Sequence, residues 1–312
     1  MKGTLTMRIK KTVSIVLTIL IPIIIFYLFE WFIHNPFDIK FSLQIFNIIL
    51  FEIIMLILLF LMGSSRPALI ALTSFFMIAG LTNHYVLEFR SIPVMPWDIM
   101  SIGTAASVAN NYEYSLDKHT ICLIICFIVL IVIETRVNLS IKKLKKTRFT
   151  CLLLSCLLMF GFTKFMHNDN TITRFKIYDK LFTPTTVTMK NGQALAFLME
   201  LEYLSIDKPS GYSKAKANEL LENTMPDDFM PEKKPNIIVI MNEAFSDPAI
   251  LGDFKTNKDY MPFVHSLMQN SQRNVVSGYL NVSVLGGNTA NTEFEILTED
   301  QIKGLERAPP VY

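Results

Sequence analysis

Two short stretches near the C-terminus carry the residue types best suited to chemistry. The first is the apolar run Pro235-Asn-Ile-Ile-Val-Ile-Met241, ending in Asn242-Glu243-Ala-Phe-Ser-Asp247. The second is Gly286-Gly-Asn-Thr289-Ala-Asn-Thr-Glu-Phe-Glu295. The first run, short, apolar and β-branched, reads as a buried strand. Glu243 then follows at its carboxyl end, the edge where open α/β sheets bind ligands. A hard carboxylate there suits magnesium or manganese. Read on its own, it is equally a helix-capping or salt-bridged acid. Thr289 follows a Gly-Gly turn into a helix, where backbone amides form an anion site. A threonine hydroxyl is a weak nucleophile at neutral pH, and metal coordination helps it ionise. Thr289 and Asn288 are also good N-caps, so a capping and a nucleophilic threonine occupy the same place. Thr292 and Ser283 are rival hydroxyls. Together the two stretches describe a metal-activated hydroxyl nucleophile.

What positions them is a mostly apolar chain. Hydrophobic residues make up 51% and charged residues 18% of the sequence, fewer charges than the roughly 25% of soluble domains. The formal net charge is +2, which gives no reason to expect a nucleic-acid partner. Cys122, Cys126, Cys151 and Cys156 lie in apolar runs without zinc-ligand spacing and read as small buried hydrophobes.

Spanning a bilayer as a helix takes about 20 apolar residues. Thr12–Phe29 qualifies, with Pro22 a kink, and no small-residue cleavage site follows it. Leu43–Met62 and Pro67–Tyr85 qualify as well. His119–Ile133 and Phe149–Thr163 are shorter and span if flanking residues are included. Basic residues precede the first run, sit at Arg66, and fill the loop from Arg136 to Arg148, while the alternate loops carry few. The positive-inside rule then gives five spans, a cytoplasmic N-terminus and an extracellular C-terminal part. The reading is of a multi-pass cell-membrane protein.

The loop Arg90-Ser-Ile-Pro-Val-Met-Pro-Trp-Asp98 leads into Ile99–Ala109, which reads as an interfacial helix. Residues 167–234 read as a juxtamembrane connector. Ala194–Leu204 has helical apolar spacing, and Ser213 is placed to cap a polar helix, Lys214–Asn223. From Pro235 onward strands and helices alternate: a strand to Met241, a helix over Tyr260–Met268, a strand over Arg273–Val284, and a helix over Asn288–Leu297. That order points to an α/β domain. Among other ionisable residues, Glu52 falls near the bilayer centre, where charge is costly, and reads as a carboxyl facing other helices near Asn47. His265 reads as structural, and His84 as placed near headgroups.

The layout resembles the lipoteichoic acid synthase family of Gram-positive bacteria, in the alkaline phosphatase and sulfatase superfamily. The resemblance rests most on Asn236-Ile-Ile-Val-Ile-Met-Asn-Glu-Ala-Phe-Ser-Asp247 and Gly287-Asn-Thr-Ala-Asn-Thr-Glu-Phe-Glu295. It extends to the outer loop ending at Asp98, to Asn191-Gly-Gln-Ala-Leu-Ala-Phe-Leu198 and to Lys208-Pro-Ser-Gly-Tyr-Ser213. It implies an α-helical membrane domain over 1–166, a connector over 167–234, and over 235–312 the N-terminal part of an extracellular, alkaline-phosphatase-like (sulfatase) α/β domain. It implies Mn2+, or Mg2+, held by Glu243 and Thr289, with Thr289 also the nucleophile. The reaction implied takes glycerol phosphate from phosphatidylglycerol, through a glycerophospho-threonine, to a growing polyglycerolphosphate (teichoic acid) chain. Family members continue into a part that supplies an Asp-His metal pair, and the tail Glu299–Tyr312 does not look like family sequence. The expectation is therefore a truncated chain, inactive as it stands. Alternatives are a phosphoethanolamine transferase, another sulfatase-superfamily enzyme, or a non-catalytic membrane remnant that partners an intact enzyme. No Cys/Ser-x-Pro-x-Arg sulfatase motif lies near Thr289.

Overall fold

Between Lys11 and Glu30 there is no charged side chain, and hydrocarbon offers nothing to hydrogen-bond an open backbone. A helix satisfies that backbone internally, and the first element, α1 (Lys11–Trp31), runs unbroken through Pro22. The structure, a computed structural model, describes residues 11–103, 107, 114–141, 145–179, 184–204, 211–222, 236–242, 245–252, 255–269, 275–278 and 289–298. The chain divides into two units, Met1–Leu204 and Ser205–Tyr312.

In the first unit α2 (Phe41–Met62) stops at Gly63, whose left-handed backbone (φ 72°) lets its N–H reach the Leu59 carbonyl. α3 (Ser65–Arg90) follows almost at once. α4 (Lys118–Glu134) opens on Asp117, whose carboxylate accepts from the Thr120 N–H, and α5 (Lys145–Met166) completes the bundle. Four of these helices, α1, α2, α3 and α5, are long and apolar enough to cross a membrane. α4 has 17 residues, at the short end of the spanning range of roughly 17–25. The expected fourth span is thus present as a helix of marginal length, whereas the expected fifth, read as equally short over Phe149–Thr163, runs 22 residues and is long enough to cross.

α2 packs against α3 and α5, α3 against α1 and α4, and α1 against α2 and α4. Inside a bilayer there is no hydrophobic gain in pairing helices, so close packing and hydrogen bonds must do it. The packing is aromatic: Phe51 stacks on Phe76 with ring centres 4.2 Å apart, and Phe29 meets Phe76 edge-on at 5.1 Å. Gly80 admits Phe32, since a Cβ there would sit 2.5 Å from the Phe32 ring.

One end of the bundle is tied by the α2–α3 turn and the α4–α5 loop. Ser65 N–H donates to the Leu139 carbonyl at 2.9 Å, and Ile141 N–H to Gly63 at 3.0 Å. The Arg148 guanidinium donates to the Phe60 and Leu61 carbonyls, both at 2.6 Å. At the other end, residues 169–204 fold back onto the helices. They form α6 (Asp169–Phe175), α7 (Pro184–Asn191), α8 (Gln193–Glu200) and a 3₁₀ turn over Leu201–Leu204. The predicted interfacial helix begins as a 3₁₀ turn over Pro96–Ser101.

In the second unit α9 (Lys214–Glu222) is capped as predicted, with the Lys216 N–H donating to Ser213 Oγ at 3.1 Å. A 3₁₀ turn spans Pro248–Leu251, followed by α10 (Pro262–Gln269) and α11 (Thr289–Thr298). Two expectations need correction. Among the described residues there is no strand, only an isolated bridge between Ser64 and Ser140. Residues 236–242 join no ladder, and Ile238 is 85% exposed. A strand exists only through a neighbour that takes its hydrogen bonds, and most of the predicted neighbour, Arg273–Val284, lies outside the described residues. The α/β character of 235–312 is therefore not shown. The cysteines, too, are not buried: Cys122 and Cys156 are exposed and Cys126 and Cys151 half-exposed, on faces of α4 and α5 turned away from the bundle core.

The α7–α8 corner depends on one glycine. Gly192 has φ 88°, and a Cβ on it would lie 2.7 Å from Asn47 Nδ2. Gly192→Ala is expected to cost about 1–3 kcal/mol through backbone strain alone, and more through the clash with Asn47. A lowered unfolding temperature in detergent, with early proteolysis within 184–204, would show this. An unchanged midpoint would count against it.

Candidate functional site

Of the two predicted site residues, Glu243 lies outside the described residues. Thr289 is the first residue of α11, the N-terminal helix position the sequence predicted for it. Gly286, Gly287 and Asn288 of the preceding turn, and the rival hydroxyl Ser283, also lie outside the described residues, whereas Thr292 is in α11.

What the second unit does show is how the segment after Glu243 is held. Asp247 caps the following 3₁₀ turn by accepting from the Ala249 N–H at 2.9 Å. The same carboxylate accepts from the Tyr260 hydroxyl at 2.6 Å and faces His265 Nε2 at 3.2 Å. The other ring nitrogen, Nδ1, lies 2.6 Å from Asp259 Oδ1. With an acid on each side the imidazole is best served as a double donor, the imidazolium form. Partial burial pulls the His265 pKa down, but the bonds to Asp259 and Asp247 outweigh it and raise the pKa above its ordinary 6.5. Asp247 is held below the usual carboxylate range, chiefly by the Tyr260 hydroxyl. His265 is thus held between two carboxylates, an arrangement in keeping with the structural reading of its helix position. Its two acidic partners, 18 and 6 residues away, were not legible from spacing.

Among the described residues no group of three or more histidine, cysteine or acidic side chains could hold a metal ion.

The first unit holds a second polar constellation, around the turn Asn191-Gly192-Gln193. The Glu30 carboxyl accepts from the Gln193 N–H at 2.7 Å, at the N-terminus of α8. Asn47 donates to the Asn191 carbonyl at 2.7 Å and accepts from the Leu195 N–H at 3.1 Å. The Gln193 side chain donates to the Val94 carbonyl at 2.6 Å and accepts from Thr188 Oγ1 at 2.9 Å. Glu30 and Asn47 are fully buried. Asn47 thus serves the α7–α8 corner. Glu52, expected beside it, is half-buried, with Oε1 buried and unbonded. His84, expected near headgroups, lies 3.2 Å from the Phe32 carbonyl and 3.3 Å from Thr120 Oγ1. It lines a shallow pocket with Trp31, His34, Glu88 and His119.

Comparison with known proteins yields a distant likeness. A Rhizobium meliloti (strain 1021) protein, named as a candidate cyclic beta-1,2-glucan modification protein, is 33% identical over 125 residues. The match takes in 40% of this chain and 18% of that protein, so the chain spans less than a fifth of its relative's length. No family model matches the chain, and no solved structure does. The lipoteichoic acid synthase family is accordingly not shown by these comparisons. What stands is a helical chain with four membrane-length helices and a distant relative assigned by name to glucan modification.

The His265 trio gives a pH prediction. A raised histidine pKa means that its stabilisation is complete below about 6.5, the unfolded value, and is lost as pH rises through the higher folded value. The depressed Asp247 acts oppositely, its stabilisation fading only when pH falls through its low folded value. Amide exchange in Pro262–Gln269 is expected to gain extra opening above neutral pH, beyond the intrinsic base catalysis of exchange. His265→Gln should abolish that extra component. Identical protection profiles in the two proteins would defeat the assignment.

Proposed function

We propose that the chain is part of a membrane-anchored transferase that moves a phospholipid headgroup onto a hydroxyl acceptor, in the manner of lipoteichoic acid synthases. The observation that carries this is the motif pair Asn236–Asp247 and Gly287–Glu295 on a chain whose first unit has membrane-length helices. The name of the distant relative supports it from another side. A glucan, like a growing polyglycerolphosphate chain, offers alcohol groups able to accept a transferred headgroup. Residues 235–312 are the catalytic portion of this reading and 167–234 its connector. The basic end of the bundle faces the cytoplasm and the second unit lies outside.

In this reading Thr289 Oγ attacks the phosphorus of phosphatidylglycerol. The Oγ–P bond forms as the bond to diacylglycerol breaks, and diacylglycerol leaves with the proton. An acceptor hydroxyl then attacks the same phosphorus, giving its proton to the freed Thr289 oxygen. Glu243 and Thr289 are hard oxygen donors suited to Mn2+ or Mg2+, which when bound would lower the hydroxyl pKa and neutralise phosphate charge. The start of α11 offers backbone N–H groups to the phosphoryl oxygens.

The test uses phosphatidylglycerol and phosphatidylethanolamine labelled in the headgroup, with Mn2+, on two proteins in liposomes. One is this chain; the other is a chimera in which a full-length relative supplies the Asp-His pair. The chimera should acquire label at Thr289 from phosphatidylglycerol, and both Thr289→Ala and a chelator should abolish it. Label that persists in Thr289→Ala would refute the nucleophile. Label from phosphatidylethanolamine alone would replace the donor.

A further inference from the structure

Between α1, α2, α3, α5 and α8 lies a partly open cavity of about 330 Å³. Its wall includes Phe29, Leu50, Phe75, Met159 and Phe197, and it is almost wholly apolar. On α3 the lining residues run from Phe75 to Asn83 on one face, roughly 12 Å of wall at the helical rise. Phe75 is 64% exposed and forms a lip on the outer surface of a membrane-length helix. The cavity is at the lower end of the ligand-pocket range of about 300–1,000 Å³.

Three polar residues, Thr82, Asn83 and Gln193, interrupt the apolar wall, and of these Asn83 carries a buried donor without a partner. Asn83 is 2% exposed. Its Oδ1 accepts from the Val94 N–H at 2.6 Å, which fixes the orientation of the amide. Its Nδ2 is buried with no hydrogen-bond partner. A buried donor without an acceptor costs about 1–3 kcal/mol, so an acceptor from a ligand would find it waiting. Asn83 lies seven residues before the end of α3, toward the bundle end where α7 and α8 dock. The wall away from that end is apolar.

We propose that this cavity holds one acyl chain of a bilayer glycerophospholipid, with the ester carbonyl accepting from Asn83 Nδ2. The chain lies along the α3 face toward Phe75 and α8 covers it. Four facts favour this occupant. The walls are mostly membrane-length helices, so lipid surrounds the mouth. The lining runs roughly 12 Å along α3, a length that suits a stretch of acyl chain. Its unpaired polar contact, Asn83 Nδ2, is a neutral donor, suited to an ester and not to a charged headgroup. That donor stands near the bundle end and not at mid-helix. The inference concerns lipid binding alone and does not require the transfer reaction, so it is open to test in Thr289→Ala.

The probe is a phosphatidylglycerol with a photoreactive group midway along one acyl chain, in liposomes with the 312-residue chain and no added metal. Cross-links should concentrate on α3 residues 75–83 and α8 residues 194–198. Ala79→Trp, which fills the slot, should remove them, while Leu153→Trp on the outer face of α5 should not. Asn83→Asp keeps the acceptor for Val94 but replaces the free donor. It should weaken labelling by the ester lipid severalfold and leave an ether-linked analogue, which has no carbonyl, unchanged. Unfolding temperatures of the variants establish that each has folded. Labelling confined to outward-facing residues of α5, or indifferent to Ala79→Trp, overturns the site. Equal labelling by ester and ether lipids in the unsubstituted chain overturns the Asn83 contact.

Discussion

A buried carboxyl seated on a helix N-terminus is the interaction on which the first unit turns. Glu30, near the end of α1, reaches across 163 residues to the first backbone N–H of α8. A helix start leaves four N–H groups without intrahelical partners, and burying them unpaired is expensive. Glu30 and Asn47 serve the corner together from two different helices. From there a relay continues: the Gln193 side chain holds the Val94 carbonyl, and the Val94 N–H holds Asn83. One set of polar contacts thus joins α1, α2, α3, the loop after α3, and the α7–α8 corner. Gly192 is required there because no Cβ fits beside Asn47. The corner in turn carries the residues of α8 that cover the apolar cavity.

The two units are stabilised by different means. In the first, aromatic side chains interlock, and the polar network around Asn191–Gln193 sits at one bundle end while Glu52 and Thr73 lie within the helices. Many large apolar residues face outward, including Phe75, Ile78, Leu154 and Phe160. Such a surface is right for hydrocarbon and wrong for water. In the second, the contacts that define local geometry are short-range and polar. α10 buries no residue, and its placement against Asp247 rests on His265 and Tyr260. That arrangement is sensitive to protonation, whereas the membrane unit's packing is not built on titrating groups at its lipid-facing surface.

The functional reading joins these parts through chemistry. A headgroup transferase acting on a bilayer lipid needs a nucleophile in an aqueous unit and a membrane unit that can accommodate the lipid. In the proposed reading the sequence motifs supply the first and the apolar cavity a place for the second. The distant glucan-modifying relative is compatible with the same bond-making, since a glucan offers the alcohol that the second half of the reaction consumes.

Helix existence was legible in the sequence because it depends on local hydropathy and caps. The runs ending at Met62 and beginning at Lys214 lie within a residue or two of the observed elements, and Ser213 caps as its type implied. The marginal length of the fourth span was legible too, whereas the fifth, read as equally short, extends to Lys145–Met166 because it takes in flanking polar residues that hydropathy left out. Strands were not, because Asn236–Met241 can be a strand only if another segment pairs with it, and pairing is not written in one segment. Thr289 at a helix start was readable from the Gly-Gly pair before it; whether its hydroxyl meets Glu243 is a matter of geometry across 45 intervening positions. Glu30 read as one more residue at the end of an apolar run, and its role appeared only when folding brought Gln193 to it. The cysteines read as buried from their apolar neighbours, yet helical phase placed them on outward faces. Sequence alone determined what can enter a membrane and where helices begin and end, since those follow from nearest neighbours. Tertiary structure decided which buried polar groups meet and where a cavity is left, since those depend on residues far apart in the chain.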